Sequence, residues 1–165
     1  MQIRQAEPGD WPSIWPFFRQ IVAARETYAY DPDMDVATAE RLWMQLEQPA
    51  HTVVAIDDDP AGPVLGTANM YPNRPGPGAH IASASFMVDP ARHGKGTGRA
   101  LGEYVIGWAK AGGFRGIQFN AVVESNIAAV HLWRSLGFEV LGTVPEAFHS
   151  PTHGYVGLHL MYRTG

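Results

Sequence analysis

The chain has 165 residues, 45% of them hydrophobic and 17% charged, and a formal net charge of −4. That length and balance describe one globular domain over residues 1–165, able to bury roughly two-thirds of its unfolded surface, and exclude a disordered segment. The acidic balance argues against broad nucleic-acid binding, which needs a basic face. Cysteine is absent, which removes a disulfide framework, a catalytic thiol and thiolate metal sites. The N-terminal stretch carries Arg4, Glu7 and Asp10 without the apolar core of a signal peptide, and no apolar run reaches membrane-spanning length. A cytoplasmic protein with no membrane partner is therefore expected.

Residues 2 to 7 read as a short strand, followed by a helix from about Trp11 to Ala24 that Pro16 should displace or kink. Arg25 to Asp35 reads as a loop. Val36 to Gln48 reads as a second helix with Leu42, Trp43 and Leu46 on one face. Thr52 to Ile56 and Val64 to Tyr71 read as strands joined by an Asp/Pro/Gly-rich hairpin turn over 57–63. A Pro/Gly loop from Asn73 to Ala79 leads to a strand over Ile81 to Val88. The next helix carries Leu101, Tyr104, Val105 and Trp108 as a core-facing stripe and stops at Gly112-Gly113. Gly116 to Val123 reads as a strand and Asn126 to Leu136 as a helix with Gly137 as its stop. Phe138 to Val144 and Tyr155 to Tyr162 read as the last two strands, separated by a loop containing Phe148, His149 and His153.

Between the strand ending at Val88 and its following helix lies Asp89-Pro90-Ala91-Arg92-His93-Gly94-Lys95-Gly96-Thr97-Gly98-Arg99. A loop with so little side-chain bulk at a helix N-terminus aims free backbone N–H groups and the positive end of the helix dipole at one point, an anion site suited to phosphate. Arg92, Lys95 and Arg99 add cations, with His93 as a fourth candidate. A Walker loop is excluded because Gly96 stands where the hydroxyl should follow Lys95, and Asp89 where the first glycine should be. A dinucleotide fingerprint is excluded because Arg99 and Leu101 stand where the third glycine should be.

The Val-Asp-Pro strand end, the basic residue and Gly-x-Gly resemble motif A of the GCN5-related N-acetyltransferases. The segment Asn126-Ile127-Ala128-Ala129-Val130-His131-Leu132-Trp133-Arg134-Ser135-Leu136-Gly137-Phe138 resembles their motif B. The element order β-α-α-β-β-β-α-β-α-β-β is also theirs. Arg25-Glu26-Thr27-Tyr28 and the Val-x-Pro strand end look most like the phosphinothricin-type amino-acid acetyltransferases. The resemblance implies a mixed α/β fold: a mostly antiparallel sheet with one splayed parallel pair and helices on both faces. It implies acetyl-CoA as co-substrate, held by Phe86, Met87, Val88, His93, Gly94, Lys95, Gly96, Thr97, Gly98, Arg99 and Asn126. The pantetheine arm would pair with the backbone of Phe86 to Val88, and an N–H near Phe86 or Met87 would polarise the thioester carbonyl. His93 stands where relatives usually have Gln or Arg, so donor affinity is expected to strengthen as pH falls and the imidazole gains charge.

The expected reaction is direct attack of a small-molecule primary amine, an amino acid or analogue, on the thioester through a tetrahedral intermediate. Relatives commonly use a motif B tyrosine as acid, but Trp133 stands there, and an indole cannot protonate sulfur. Tyr71, Tyr104 and Tyr155 remain as alternative donors. Relatives place a Glu where Ser83 aligns; Ser83 can hold a water, and Glu26 is the best remaining carboxylate. The acceptor pocket is expected around Glu26, Tyr28, Asn69, Tyr71, Phe148 and His149, with His80 and His149 as further candidate bases. His149 and His153 have metal-like spacing, but Pro151 breaks any helix and no third ligand is evident, so no metal is expected. The resemblance also implies a homodimer. Acetylation of a protein N-terminus or lysine, or a silent acyl-CoA sensor, stand as alternatives.

Overall fold

The computed structural model describes residues 1–59 and 61–165. In chain order the elements are β1 (Gln2–Gln5), α1 (Trp11–Ala24), α2 (Val36–Met44), β2 (His51–Ile56), β3 (Val64–Pro72), β4 (Ile81–Val88), α3 (Thr97–Ala111), β5 (Gly116–Val123), α4 (Ile127–Ser135), β6 (Glu139–Ser150) and β7 (Gly154–Thr164). The strands form one seven-stranded mixed sheet in the spatial order β1-β2-β3-β4-β5-β7-β6. Among the described residues only β4 and β5 run parallel; every other pair is antiparallel. The mixed α/β fold expected from the sequence is the fold observed.

Alternation along the central strands supplies two cores, one on each face. On β2, Val53 and Ala55 join Leu101, Val105 and Ala109 of α3 and Trp133 of α4. Val54 and Ile56 point the other way and join Trp11, Ile14, Phe18 and Val22 of α1 and Trp43 of α2. Helix α1 runs unbroken through Pro16. Pro16 and Pro12, whose carbonyl would have been its partner, are both exposed, so the missing hydrogen bond falls on the water side.

Three expectations are corrected. Helix α2 ends at Met44, short of Gln48, because the Thr52 hydroxyl donates to the Trp43 carbonyl at 2.6 Å, an acceptor that a further turn would use. Leu42 is exposed, off the buried face that Trp43 occupies. Phe148 and His149 lie on strand β6, opposite Val156 and Tyr155, and the connection to β7 is only the turn at 151–153. The sequence hides this because the register shifts between Val144 and Phe148, where Pro145 has no N–H and Glu146 has φ of +55°. The expected hairpin turn over 57–63 contains Pro60, which lies outside the described residues; its flanking strands β2 and β3 pair antiparallel. Among the described residues no helix is long and apolar enough to cross a membrane.

Candidate active site

The parallel pairing of β4 and β5 is confined to Ile81↔Gly116 and Ala82↔Ile117. Beyond Ala82 the two strands diverge, and rings from both fill the space on the α3/α4 face. Phe86 of β4 meets Phe119 of β5 at 5.6 Å between centroids and Trp133 of α4 at 4.6 Å, and Phe119 stacks on Phe138 at 4.4 Å. This aromatic wedge holds the strands apart, so Ser83 to Val88 have no β5 partner. A cleft of about 750 Å³ opens along that free strand edge.

At one end of the cleft stands the glycine loop. Gly94 and Gly96 take φ of +82° and +75°, the left-handed region that a side chain resists, and a Cβ built on either meets nothing within 4 Å. The chain therefore has backbone, and no packed side chain, on the open side of the loop. Gly96 is the N-cap of α3, whose first N–H groups have no intrahelical partner. The Thr97 hydroxyl beside them is buried with no partner among the described residues. Arg92 pairs with Asp89 at 3.6 Å, and Arg99 donates to Ser135 at 2.7 Å and faces Glu103 at 3.9 Å. Lys95 has no ion-pair partner among the described residues. Exposed backbone donors, a helix N-terminus and uncompensated positive charge fit a pyrophosphate.

The other wall is built from side chains. Ser83 and Ser85 of β4 share the α1/α2 face with Tyr71 of β3, whose hydroxyl lies 3.2 Å from Ser85 Oγ. The loop after α1 brings Tyr28 and Tyr30 over them, with ring centroids 5.2 Å apart. The Tyr28 hydroxyl accepts from the Phe86 N–H and donates to the Phe86 carbonyl, both at 2.7 Å. Burial pushes the Tyr28 phenol well above its ordinary value, with Tyr30 adding to the rise. Burial, then Tyr71, raises Tyr30 too. Glu26 supplies the one charged side chain on the cleft wall among the described residues. Its Oε1 accepts from Ser150 Oγ at 2.9 Å and the Thr152 N–H at 3.3 Å, tying the loop to the β6–β7 turn.

The structure thus brings Glu26, Tyr28, Tyr71, Ser83, Phe86, Met87, Val88, Gly98, Asn126 and Trp133 to one cleft. His93 to Thr97 and Arg99 stand in the loop and first turn at its end. Asn69 is buried beneath the wall and off the cleft surface, and its side-chain oxygen has no partner. Phe148 is buried on β6, and His149 stacks on Tyr155 at 4.4 Å; neither lines the cleft. Trp133 packs in the aromatic wedge, 6% exposed. Asn126 caps α4, its Oδ1 accepting from the Ala129 N–H at 3.3 Å. The sequence reading missed Asn120, which lines the cleft from the irregular part of β5 and donates to Asn73 at 2.7 Å. It also missed Ser150 behind Glu26. No local pattern could reveal partners so far apart in the chain. Among the described residues no group of three His, Asp or Glu side chains could hold a metal.

Residues 15–138 match the acetyltransferase (GNAT) family. A GCN5-related N-acetyltransferase from Kribbella flavida is 64% identical, with a TM-score of 0.95 over 99% of this chain and 97% of that one. A GNAT-superfamily phosphinothricin acetyltransferase from Sinorhizobium meliloti, solved in complex with acetyl-CoA, is 27% identical, with a TM-score of 0.84 over 99% of this chain and 87% of that one. The N-acetyltransferase aca1 of Schizosaccharomyces pombe is 35% identical over 98 residues, 59% of this chain and 47% of that protein. The chain thus spans about half the length of this curated relative. The family match over residues 15–138 and the shared fold agree, and the chain belongs to the acetyltransferase (GNAT) family.

Proposed function

We propose that the chain moves the acetyl group of acetyl-CoA to a primary amine of a small molecule, an amino acid or analogue. One observation carries this reading. The pairing of β4 with β5 stops after Ala82, leaving a strand edge open beside a glycine loop, within a cleft of about 750 Å³. In this reading Gly94 to Arg99 hold the pyrophosphate, the pantetheine arm adds to the edge at Phe86 to Val88, and Asn126 lies alongside it. The Phe86 N–H polarises the thioester carbonyl. Glu26 attracts the ammonium group of the acceptor and takes its proton, and Tyr28 and Tyr71 wall the acceptor. The similarity to a phosphinothricin acetyltransferase supports a small acceptor, as do the enclosing tyrosines. We read residues 1–165 as one catalytic domain, cytoplasmic because its donor is an intracellular metabolite. We read it as a homodimer through the exposed edge strand β6, which shows Leu141 and Val144.

Thiol release from acetyl-CoA, measured across amino acids, phosphinothricin, polyamines and peptides, tests the reading. Turnover with small amines is the expected result. Turnover confined to peptides would move the acceptor to proteins. Tight acetyl-CoA binding with no turnover would make the chain an acyl-CoA sensor.

A further inference from the structure

The open edge of β4 is not bare. Phe86 offers an N–H and a carbonyl that β5 does not reach, and the Tyr28 hydroxyl satisfies both at 2.7 Å. One oxygen accepts from a backbone donor while its proton goes to a backbone acceptor, and among the described residues of the cleft only Phe86 has both its N–H and its carbonyl on a side-chain hydroxyl. Any acyl carbonyl that takes the Phe86 N–H must replace this hydroxyl. A thioester bound there would lie beside Tyr28, with the departing sulfur and the arriving nitrogen both on its carbonyl carbon.

We propose that Tyr28 is the proton donor to the departing thiolate, an assignment that rests on the acetyl transfer proposed above. The amine nitrogen forms a bond to the thioester carbon, and the carbonyl electron pair moves onto oxygen against the Phe86 N–H. On collapse the C–S bond breaks and its electron pair stays on sulfur, which takes the Tyr28 proton as the free thiol. The proton lost by the acylated nitrogen passes to Tyr28, so the phenol is restored and only amide and thiol leave. Accepting from one side while donating to the other is what this hydroxyl already does with Phe86. Because burial raises the phenol, a free phenolate is disfavoured, and the two transfers are coupled.

The alternatives are placed less well. Trp133 presents an indole, buried in the wedge against Phe86 and Phe119. Tyr104 and Tyr155 lie off the cleft, and Tyr155 is 67% exposed. The hydroxyl of Tyr71 is engaged with Ser85 on the neighbouring strand.

The test is Tyr28→Phe in the full chain, read by thiol release and by direct binding of CoA. A positioned acid is worth about 10²–10⁴-fold, so kcat should fall by that factor. CoA affinity should hold or tighten, since Phe86 loses its internal competitor. Fluorotyrosines placed at position 28 preserve shape and step the phenol acidity, and kcat should follow that acidity. A hydroxyl with only a structural role would leave kcat flat across the fluorotyrosine series. The assignment is overturned by a flat series, by Tyr28→Phe turning over within about threefold of wild type, or by CoA binding weakening in step with kcat. A wild-type chain inert towards every amine would instead fail the acetyl-transfer reading itself.

Discussion

The two halves of the cleft are built by opposite means. The half that faces the glycine loop is backbone: the free edge of β4, two left-handed glycines and the first turn of α3, all within residues 83–99. The half under the tyrosines is side chain, assembled across the whole chain, with Tyr28 meeting Phe86 58 residues away and Glu26 meeting Ser150 124 residues away. A backbone half tolerates side-chain change and depends on conformation. A side-chain half tolerates backbone adjustment and depends on particular functional groups. The aromatic wedge serves both, because it sets the divergence of β4 from β5.

The largest effect should therefore come from the wedge. Phe119→Ala removes a ring that touches Phe86, Trp133 and Phe138, and should cost about 3–5 kcal/mol in chemical denaturation. It should weaken donor and acceptor binding together, since both halves lose their support. Next is Gly102→Ala on α3. A Cβ there stands 2.9 Å from both Leu136 Cδ1 and Trp133 Cζ3, so the Leu136 side chain and the buried Trp133 ring must shift, at about 1–3 kcal/mol. A smaller loss than about 0.5 kcal/mol would show that the wedge is loosely packed.

Gly96→Ala perturbs the backbone half alone. Holding alanine in the left-handed region costs about 1–2 kcal/mol, so the loop should relax. The KM for acetyl-CoA should rise with little change in kcat, as steady-state kinetics would show. A kcat loss with an unchanged KM would instead place Gly96 in the chemistry.

The smallest effect belongs to a control outside both halves. Asp10 receives two 2.8 Å bonds from the Arg4 guanidinium, and that hydrogen bonding holds its carboxyl below the usual range. A carboxyl lowered in the folded state contributes stability above its unfolded value of about 3.9, and loses it as pH falls through the lower folded value. Asp10→Asn should cost roughly 1 kcal/mol near neutral pH and nothing once both states are protonated. Denaturation curves from pH 7 down to about pH 2 check this, and the acetyl-transfer rate at neutral pH should not move.

The same division explains what could be read from the chain in advance. Strands β4 and β5 matched the expected ranges residue for residue, because each is a mostly apolar stretch bounded by turn signals. The glycine loop was legible for a similar reason: its chemistry is contiguous. Glu26 is legible as the carboxylate that remains when Ser83 stands in the usual Glu position, and Tyr28 as its neighbour in the same loop, but nothing local announces that a hydroxyl will cap the Phe86 backbone. Asn69 and Phe148 illustrate the converse. Both sit on strands where alternation decides whether a side chain meets the cleft or the core, and a bulge between Val144 and Phe148 breaks the count. Trp133 was legible as a departure from the family pattern, and its burial in the wedge gives that departure a packing role.

In the proposed reaction the thioester carbonyl binds at the Phe86 backbone. The most direct measurement is the amide NMR signal of Phe86 as acetyl-CoA, and separately CoA, is added to the full chain. Acetyl-CoA should shift the Phe86 amide and release the Tyr28 hydroxyl from it, while CoA alone moves the amides of Gly94 to Arg99 and leaves Phe86 less perturbed. A Phe86 amide that stays in place while the glycine-loop signals saturate with acetyl-CoA would place the thioester carbonyl elsewhere.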